Sequence, residues 1–331
     1  MDNQKIILLS LHRFRLLPEF RGKLLSAGEG REVLISMDTA EIEPFLDRIE
    51  IGFGDVPFDL LPRMPNLKWL QLWSAGADFL LRYPEAKALP FQLTTTSGIH
   101  RQQLAEHLFA LLLGWNRCLP AALDAQKRHK WLVIVDQKLS VLNGKTMLIL
   151  GYGDIGRNVA RIALGFGMKV IGLRRDPSKS VESSPSVEGG DGIRIEAAAN
   201  MKALLPEADH VVNILPSTPD TRHIIGAAEF SLMKNSALYI NIGRGATTDE
   251  TAMIEALRLK KIAGALLDVA ETEPLPPDSP LWDMDNVILS GHYAGCHPEY
   301  SRMAMDMALD NFARYKKGEP LKNLVDKMRG Y

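Results

Sequence analysis

The chain has 331 residues, 46% apolar and 24% charged, with 39 basic against 40 acidic side chains and a formal charge of −1. That balance is ordinary for a globular protein of about two domains at ~100–200 residues each, and it excludes a nucleic-acid footprint and an acidic interaction tail. The two cysteines, Cys118 and Cys296, make neither a disulfide framework nor a zinc-ligand spacing, so a reducing cytoplasm is the expected setting.

The N-terminal stretch MDNQKIILLSLHRF carries a short apolar run, Ile6 to Leu9, followed by His12 and Arg13. It is too short for a signal-peptide core and lacks a small-residue cleavage site, so it reads as a first strand. No apolar run approaches ~18 residues, and no membrane span is expected. KIILLS, EVLIS, RIEIGF, LKWLQLW and FQLTTTS then read as buried strands separated by amphipathic segments, the alternation of parallel α/β layers. From Arg101 to Trp131 the spacing changes: Leu104, Leu108, Leu111, Leu112 and Trp115 recur at helical intervals, predicting one long helix that bridges two domains. TMLILG, KVIGL, HVVNILP, ALYINIG, GALLDVA and NVILSG continue the strand pattern, so Met147 to Ser290 reads as one doubly wound unit. PSKSVESSPSVEGGDG, residues 177–192, predicts a mobile loop. Glu299 to Tyr315 has a helical pattern, and LKNLVD is expected to pack back onto the first domain.

Gly151, Gly153 and Gly156 form G-x-G-x-x-G between a strand and an amphipathic helix that runs from Ile155 to about Phe166. That context separates a dinucleotide-binding turn from a packing turn. The first glycine permits the turn, the second lets backbone approach a pyrophosphate, and the third lets helix and strand pack closely. Free N–H groups at the helix start hold the phosphate. The next strand, KVIGL, ends where an acid would accept the ribose 2′-hydroxyl, yet Arg174 and Arg175 stand there. Guanidinium groups suit a 2′-phosphate, so the expected cofactor is NADP(H), with NAD(H) possible. Asp176 is an alternative ribose acceptor after a short register shift, and an exposed surface pair is the plain alternative for the arginines.

Three further strand-end loops carry chemistry: INIGRG with Arg244, DVAETEPLP with Asp268, Glu271 and Glu273, and ILSGHYAG with His292. Carboxyl ends of parallel strands face the ligand crevice. Hydride addition to a keto acid needs a proton donor, a carboxylate to keep the donor imidazole protonated, and a cation on the substrate. Taken singly, each has a bland alternative as a helix cap, a structural histidine or a solvated acid. Their joint placement favours chemistry.

These residues resemble the D-isomer-specific 2-hydroxyacid dehydrogenases, of the glyoxylate/hydroxypyruvate reductase type. The resemblance runs through LWSAGADF (72–79), SGIHRQQLAEHLFALLL (97–113), GYGDIGRNVARIALGFGMKVIG (151–172), ILPSTPDTRHII (214–225), NIGRGATTDE (241–250), GALLDVAETEPLP (264–276) and LWDMDNVILSGHYAG (281–295). It implies two Rossmann-like doubly wound parallel-sheet domains. The dinucleotide-binding domain, 100–295, would be inserted into a flavodoxin-like substrate domain, 1–99 with 296–331. The active site would lie in the cleft between them, and homodimers would form largely through the cofactor domain. Arg244 would bind and polarise the substrate, His292 would be the acid/base and Glu273, just before Pro274, its partner in preference to Glu271. The Ser74-Ala75-Gly76 backbone would hold the substrate carboxylate. The cofactor would meet Gly151, Gly153, Asp154, Ile155, Gly156, Arg174, Arg175, Pro216, Ser217, Thr221, Ile242, Gly243, Asp268, His292 and Gly295, with Asp268 near the nicotinamide carboxamide. No metal is implied.

Departures from the family pattern fall at Ala270, where phenylalanine is usual, at Ser290-Gly291, where Thr-Pro is usual, and at His297, where threonine is commoner. Gly291 is expected to loosen the loop that aims His292. The 177–192 segment would either fold over a 2′-phosphate with Lys179 or stay disordered. Trp131 would either reach a partner subunit or pack within its own chain. The leading expectation is thus an NADPH-dependent reductase of small 2-keto acids. The alternatives are an NAD-linked D-lactate- or 3-phosphoglycerate-like dehydrogenase and a non-catalytic cofactor sensor. An amide partner for the histidine, as in formate dehydrogenases, is disfavoured by Glu273; phosphite dehydrogenases share the Arg/Glu/His set.

Overall fold

The computed structural model describes residues 4–13, 15–28, 30–135, 139–177 and 193–331. The chain divides into two compact units, Met1–Ile99 with His297–Tyr331, and His100–Cys296.

The first unit is a five-stranded parallel sheet in the order β2-β1-β3-β4-β5, built from β1 (Ile6–Ser10), β2 (Glu32–Ile35), β3 (Ile49–Gly54), β4 (Trp69–Gln71) and β5 (Gln92–Thr94). Successive side chains of a strand point to opposite faces, and here both faces are covered. Ile6 and Leu8 join Ile49, Leu60 and Leu70 on one side. Ile7 and Leu9 join Phe53, Trp69 and Phe312 on the other. Burying each such aliphatic side chain contributes about 1.5–3 kcal/mol, and this two-sided burial makes the strands near-continuous apolar runs. Helix α1 (Pro18–Ala27) opens with proline, whose missing N–H is no loss in a first turn. Short helices α2 (Thr39–Ile42) and α3 (Phe79–Arg82) link the strands.

The C-terminal segment completes this unit. In helix α10 (Tyr300–Lys317), Asn311 donates to Gln71 Oε1 at 2.9 Å, and the Thr94 hydroxyl donates to the same oxygen at 2.8 Å. LKNLVD then returns to β5 as expected: Thr94 bridges Leu324, and Val325 N–H donates to Leu93 O.

The second unit is a seven-stranded parallel sheet in the order β12-β11-β10-β9-β6-β7-β8. Its strands are β6 (Thr146–Leu150), β7 (Lys169–Arg174), β8 (Ile193–Ala197), β9 (His210–Asn213), β10 (Leu238–Asn241), β11 (Gly264–Leu267) and β12 (Val287–Leu289). Strand order reverses between β6 and β9, the switch point at which ligands bind outside the carboxyl ends of such sheets. One face packs on α4 (Arg101–Asn116) and α6 (Asp154–Gly165), the other beside α7 (Met201–Leu204), α8 (Ala227–Leu232) and α9 (Glu250–Arg258). The strand β8, which no apolar run announces, pairs with β7 over Ile193–Ala197.

The single long helix expected from Arg101 is two. Helix α4 ends at Asn116, Cys118 adopts φ +54°, and α5 (Leu119–Lys127) begins with Pro120 in its first turn. Proline supplies no N–H to continue a helix and clashes with the preceding turn. Trp131 is 94% exposed and does not pack within its own chain among the described residues. The predicted loop lies outside the described residues from 178 to 192, and Lys179 with it.

Candidate active site

The carboxyl ends of β6, β7, β9, β10, β11 and β12 present six loops, and the expected residues of the second unit lie on them. The first loop is the glycine turn. Gly151 has φ +97°, and a Cβ on Gly156 would stand 2.7 Å from Gly151 O, so helix α6 approaches β6 only with glycine there. The N–H groups of Asp154 and Ile155 make no hydrogen bond among the described residues, leaving the first turn of α6 with free donors. The Asp154 carboxylate is drawn sideways by Arg157 at 3.2 Å and Arg101 at 3.8 Å.

Arg174 closes β7 over this turn. Its Nε donates to Tyr152 O at 3.0 Å, and its guanidinium lies 5.5 Å from the Tyr152 ring centroid. Arg175 is exposed and 3.6 Å from Asp220 on the β9 loop. In that loop Thr221 acts as an internal brace: its hydroxyl donates to Pro216 O at 2.6 Å and accepts from Thr218 N–H at 2.9 Å. Pro216 and Ser217 sit at the loop surface. Ile242 is buried, and a Cβ on Gly243 would meet Leu215 O at 2.9 Å, so the β10 and β9 loops touch through backbone.

Arg244 is fixed from beneath by a buried polar network. Its carbonyl accepts from Thr247 Oγ1 at 2.6 Å and from Asn241 Nδ2 at 3.1 Å. Asn241 Oδ1 accepts from Gly243 N–H, and Asn213 donates to both the Tyr239 and Thr247 hydroxyls at 2.8 Å. Buried polar groups so fully paired rigidify the backbone they hold. Sequence patterning singled out none of Asn213, Tyr239, Asn241 and Thr247, although two asparagines ending apolar strands were the available signal.

His292 and Glu273 meet directly, Nδ1 to Oε2 at 2.6 Å, and Glu273 Oε1 accepts from Ala270 N–H at 3.1 Å. The hydrogen bond to Glu273 raises the imidazole pKa above its ordinary value; burial opposes this, the carboxylate charge adds to it and Arg244 opposes it. Burial works to raise the carboxyl pKa of Glu273, and the hydrogen bonds with His292 and Ala270 N–H together with the charges of His292 and Arg244 bring it below the usual carboxylate range. Protonated imidazole and ionised carboxylate are thus the favoured pair. Glu271 faces elsewhere, with His223 Nε2 at 2.5 Å and Arg222 at 3.4 Å. His100, beside Gly295, is held neutral: burial and then the Arg244 charge push its pKa down to about 4.

Asp268 is 2% exposed. Its carboxylate accepts from the Ser290 hydroxyl and from Tyr293 and Ala294 N–H, so roughly one of its four lone-pair sites stays open for a carboxamide donor. In the first unit, the Ser74 hydroxyl donates to Gly76 O at 2.8 Å, and the N–H groups of Ser74, Ala75 and Gly76 make no hydrogen bond among the described residues.

Comparison with known proteins bears on this arrangement. The family pattern described as "D-isomer specific 2-hydroxyacid dehydrogenase, NAD binding domain" matches residues 109–294. The glyoxylate reductase of Aeropyrum pernix is 36% identical over 276 residues, 81% of this chain and 79% of that protein. The glyoxylate/hydroxypyruvate reductase B of Enterobacter sp. is 36% identical over 81% of this chain and 80% of its own. Among solved structures, an NADPH-dependent glyoxylate/hydroxypyruvate reductase from Sinorhizobium meliloti, in complex with NADP and sulfate, superposes with TM-score 0.80 at 30% identity, covering 99% of this chain and 100% of that one.

Proposed function

The chain belongs to the D-isomer specific 2-hydroxyacid dehydrogenase family and is an NAD(P)-dependent dehydrogenase, and from that premise we propose that it reduces small 2-keto acids of the glyoxylate and hydroxypyruvate type with NADPH. The observation that carries this reading is the His292–Glu273 contact of 2.6 Å on the strand ends that also carry Arg244.

Each residue then has one task. Arg244 binds the substrate carboxylate and polarises the keto oxygen, stabilising charge that develops there. Glu273 holds Nδ1 of His292, which leaves Nε2 to donate its proton to the forming alkoxide. NADPH supplies the hydride. Asp154 and Ile155 N–H groups suit its pyrophosphate, and Arg174 with Arg175 suits a 2′-phosphate. Residues 100–295 serve as the cofactor domain and 1–99 with 296–331 as the substrate domain, in which the free N–H groups of Ser74, Ala75 and Gly76 suit a carboxylate.

Two related structures were solved with NADPH or NADP bound, from Xanthobacter autotrophicus and Sinorhizobium meliloti. A homodimer is supported by the segment after α5, where Trp131 is 94%, Val133 79% and Val135 55% exposed; apolar surface of this kind marks an interaction site. Cys118 and Cys296 form no disulfide among the described residues, which suits a reducing cytoplasm. No helix among the described residues is long and apolar enough to cross a membrane.

The test is cofactor absorbance with NADPH or NADH against glyoxylate, hydroxypyruvate, pyruvate, bulkier 2-keto acids and phosphohydroxypyruvate. Fast NADPH oxidation with a small keto acid is expected. Arg174→Asp is expected to weaken NADPH about ten- to a hundredfold, the range for losing a charged hydrogen bond, and NADH far less. Equal use of both cofactors by the wild type would move the assignment to an NAD-linked dehydrogenase. Wild-type turnover by His292→Ala would overturn the acid/base assignment.

A further inference from the structure

The loop that aims His292 is short of intrinsic stiffness. Gly291 precedes it, and a Cβ there would meet nothing closer than Tyr293 Cδ1 at 4.0 Å. His292 itself sits at φ +55°, a left-handed conformation that a non-glycine residue holds only where its surroundings impose it.

Asp268 imposes it from one side. Its carbonyl accepts from His292 N–H at 2.7 Å. Its Oδ1 accepts from Ser290 Oγ at 2.7 Å and Tyr293 N–H at 3.1 Å, and its Oδ2 from Ala294 N–H at 3.1 Å. Behind Ser290 stands His107 of α4, with Nε2 at 2.8 Å from Ser290 Oγ and 3.6 Å from Asp268 Oδ1. The same imidazole meets the Tyr293 ring edge-on, centroids 5.2 Å apart at 86°. His107 therefore touches the loop on both sides of the Gly291-His292 pair.

The hydrogen-bond directions follow by elimination. A carboxylate taking two backbone donors accepts and does not donate. Ser290 has one hydroxyl proton, and the 2.7 Å contact to Asp268 takes it in preference to Leu267 O at 3.4 Å. The Ser290 oxygen is then an acceptor toward His107, so Nε2 carries hydrogen. The chain runs from His107 Nε2–H to Ser290 Oγ–H to Asp268 Oδ1.

We propose that His107 is a positioning residue for the acid/base: it fixes the Ser290 hydroxyl and, through Asp268 and Tyr293, the pose of His292 where Gly291 leaves the loop free. This rests on His292 being the proton donor. His107 lies three residues after Leu104 and one before Leu108, on the apolar stripe of α4, and a polar ring on that stripe is what the sequence offered as a sign.

The test compares His107→Leu, His107→Gln, Ser290→Ala and Ser290→Thr in the full chain, with His292→Ala as reference. His107→Leu and Ser290→Ala are expected to lower kcat on the order of ten- to a hundredfold, the effect of a misplaced catalytic group. KM, NADPH affinity by fluorescence titration, and thermal midpoint should change little. Ser290→Thr and His107→Gln, which restore the hydroxyl and the N–H, should recover most of the rate. The double variant should be no worse than the poorer single, since both act through one chain. Nitrogen-15 spectra of the wild type, independent of activity or variant folding, should show hydrogen on Nε2 of His107. The proposal is overturned by a bare Nε2, by wild-type kcat in both disrupting variants, or by rate losses that track cofactor affinity or melting. If His292→Ala is dead while His107→Leu and Ser290→Ala run at wild-type rate, only this inference fails. If His292→Ala keeps its rate, the underlying acid/base assignment fails and takes this one with it.

Discussion

Glu273 acts on His292 by contact and by charge, and both have the same sign. The hydrogen bond is the largest influence on the imidazole, the carboxylate charge reinforces it, and burial and Arg244 work against it. The net raised pKa keeps the imidazole charged to higher pH than an unperturbed ring, which favours the proton donor that keto-acid reduction requires. The rate of reduction should therefore be full below this pKa and fall as pH rises through it. Glu273→Gln keeps an acceptor at Nδ1 but removes the charge, leaving burial and Arg244 opposed only by that acceptor and the smaller effect of Asp268. Its alkaline limb in kcat/KM should move to lower pH. A limb at the wild-type position in the Gln variant would show that Glu273 does not set the proton affinity of the acid.

The elements bring Arg244 and Glu273 together through backbone. A Cβ on Gly245 would stand 1.8 Å from Ala270 O and 2.1 Å from its carbonyl carbon, so the loop after β10 can lie on the loop after β11 only with glycine there. Gly245→Ala must separate the two loops. The expected loss is about 1–3 kcal/mol of stability, the usual cost of overpacking, with kcat/KM down on the order of a hundredfold. NADPH affinity should fall less than kcat/KM, because the 151–156 turn and Arg174 lie on other strands while only Ile242, Gly243 and Asp268 sit on the separated loops. Wild-type kcat/KM would mean this close approach does not set the site. Gly245 was visible in NIGRG, but its constraint was not, because Ala270 is distant in sequence. The same division separates what was legible from what was not. Strands buried on both faces, such as β1 and β6, announce themselves as apolar runs, and the Arg244, Glu273 and His292 loops were found because each follows such a run. Helix α4 was overextended because its apolar spacing continues past Cys118, where the left-handed turn and Pro120 end it. Strand β8 alternates Ile and charged residues behind a Gly/Ser-rich stretch and lacked the buried signature. The cross-chain brackets, His107 on Ser290 and Asn213 on Thr247, depend on tertiary approach that no single sequence window contains.

At the scale of the molecule, one buried histidine ties stability to pH. His210 lies in β9 between β6 and β10, is 6% exposed, and has no hydrogen-bond partner on either ring nitrogen among the described residues. Burial pushes its pKa down to about 4; Asp209 acts in the opposite direction, and Lys145 and Lys234 lower it further. The folded chain thus holds the ring neutral, while the unfolded chain protonates it near its ordinary value of 6.5. The unfolded state binds the extra proton, so stability is intact above pH 6.5 and is lost as pH falls from there toward about 4. At about 1.4 kcal/mol per pH unit, the loss over that window is on the order of 3 kcal/mol. His100, also driven to about 4, adds to the same acid limb in the second unit. His210→Phe keeps a ring in the space and removes the titration. Its unfolding midpoint in urea at neutral pH should match or exceed that of the wild type, since two unpaired nitrogens leave the core. Between pH 6.5 and 4 its midpoint should decline less steeply. An identical slope in wild type and His210→Phe would mean that His210 takes up no extra proton on unfolding, and the acid sensitivity would then belong to His100 or to the carboxylates.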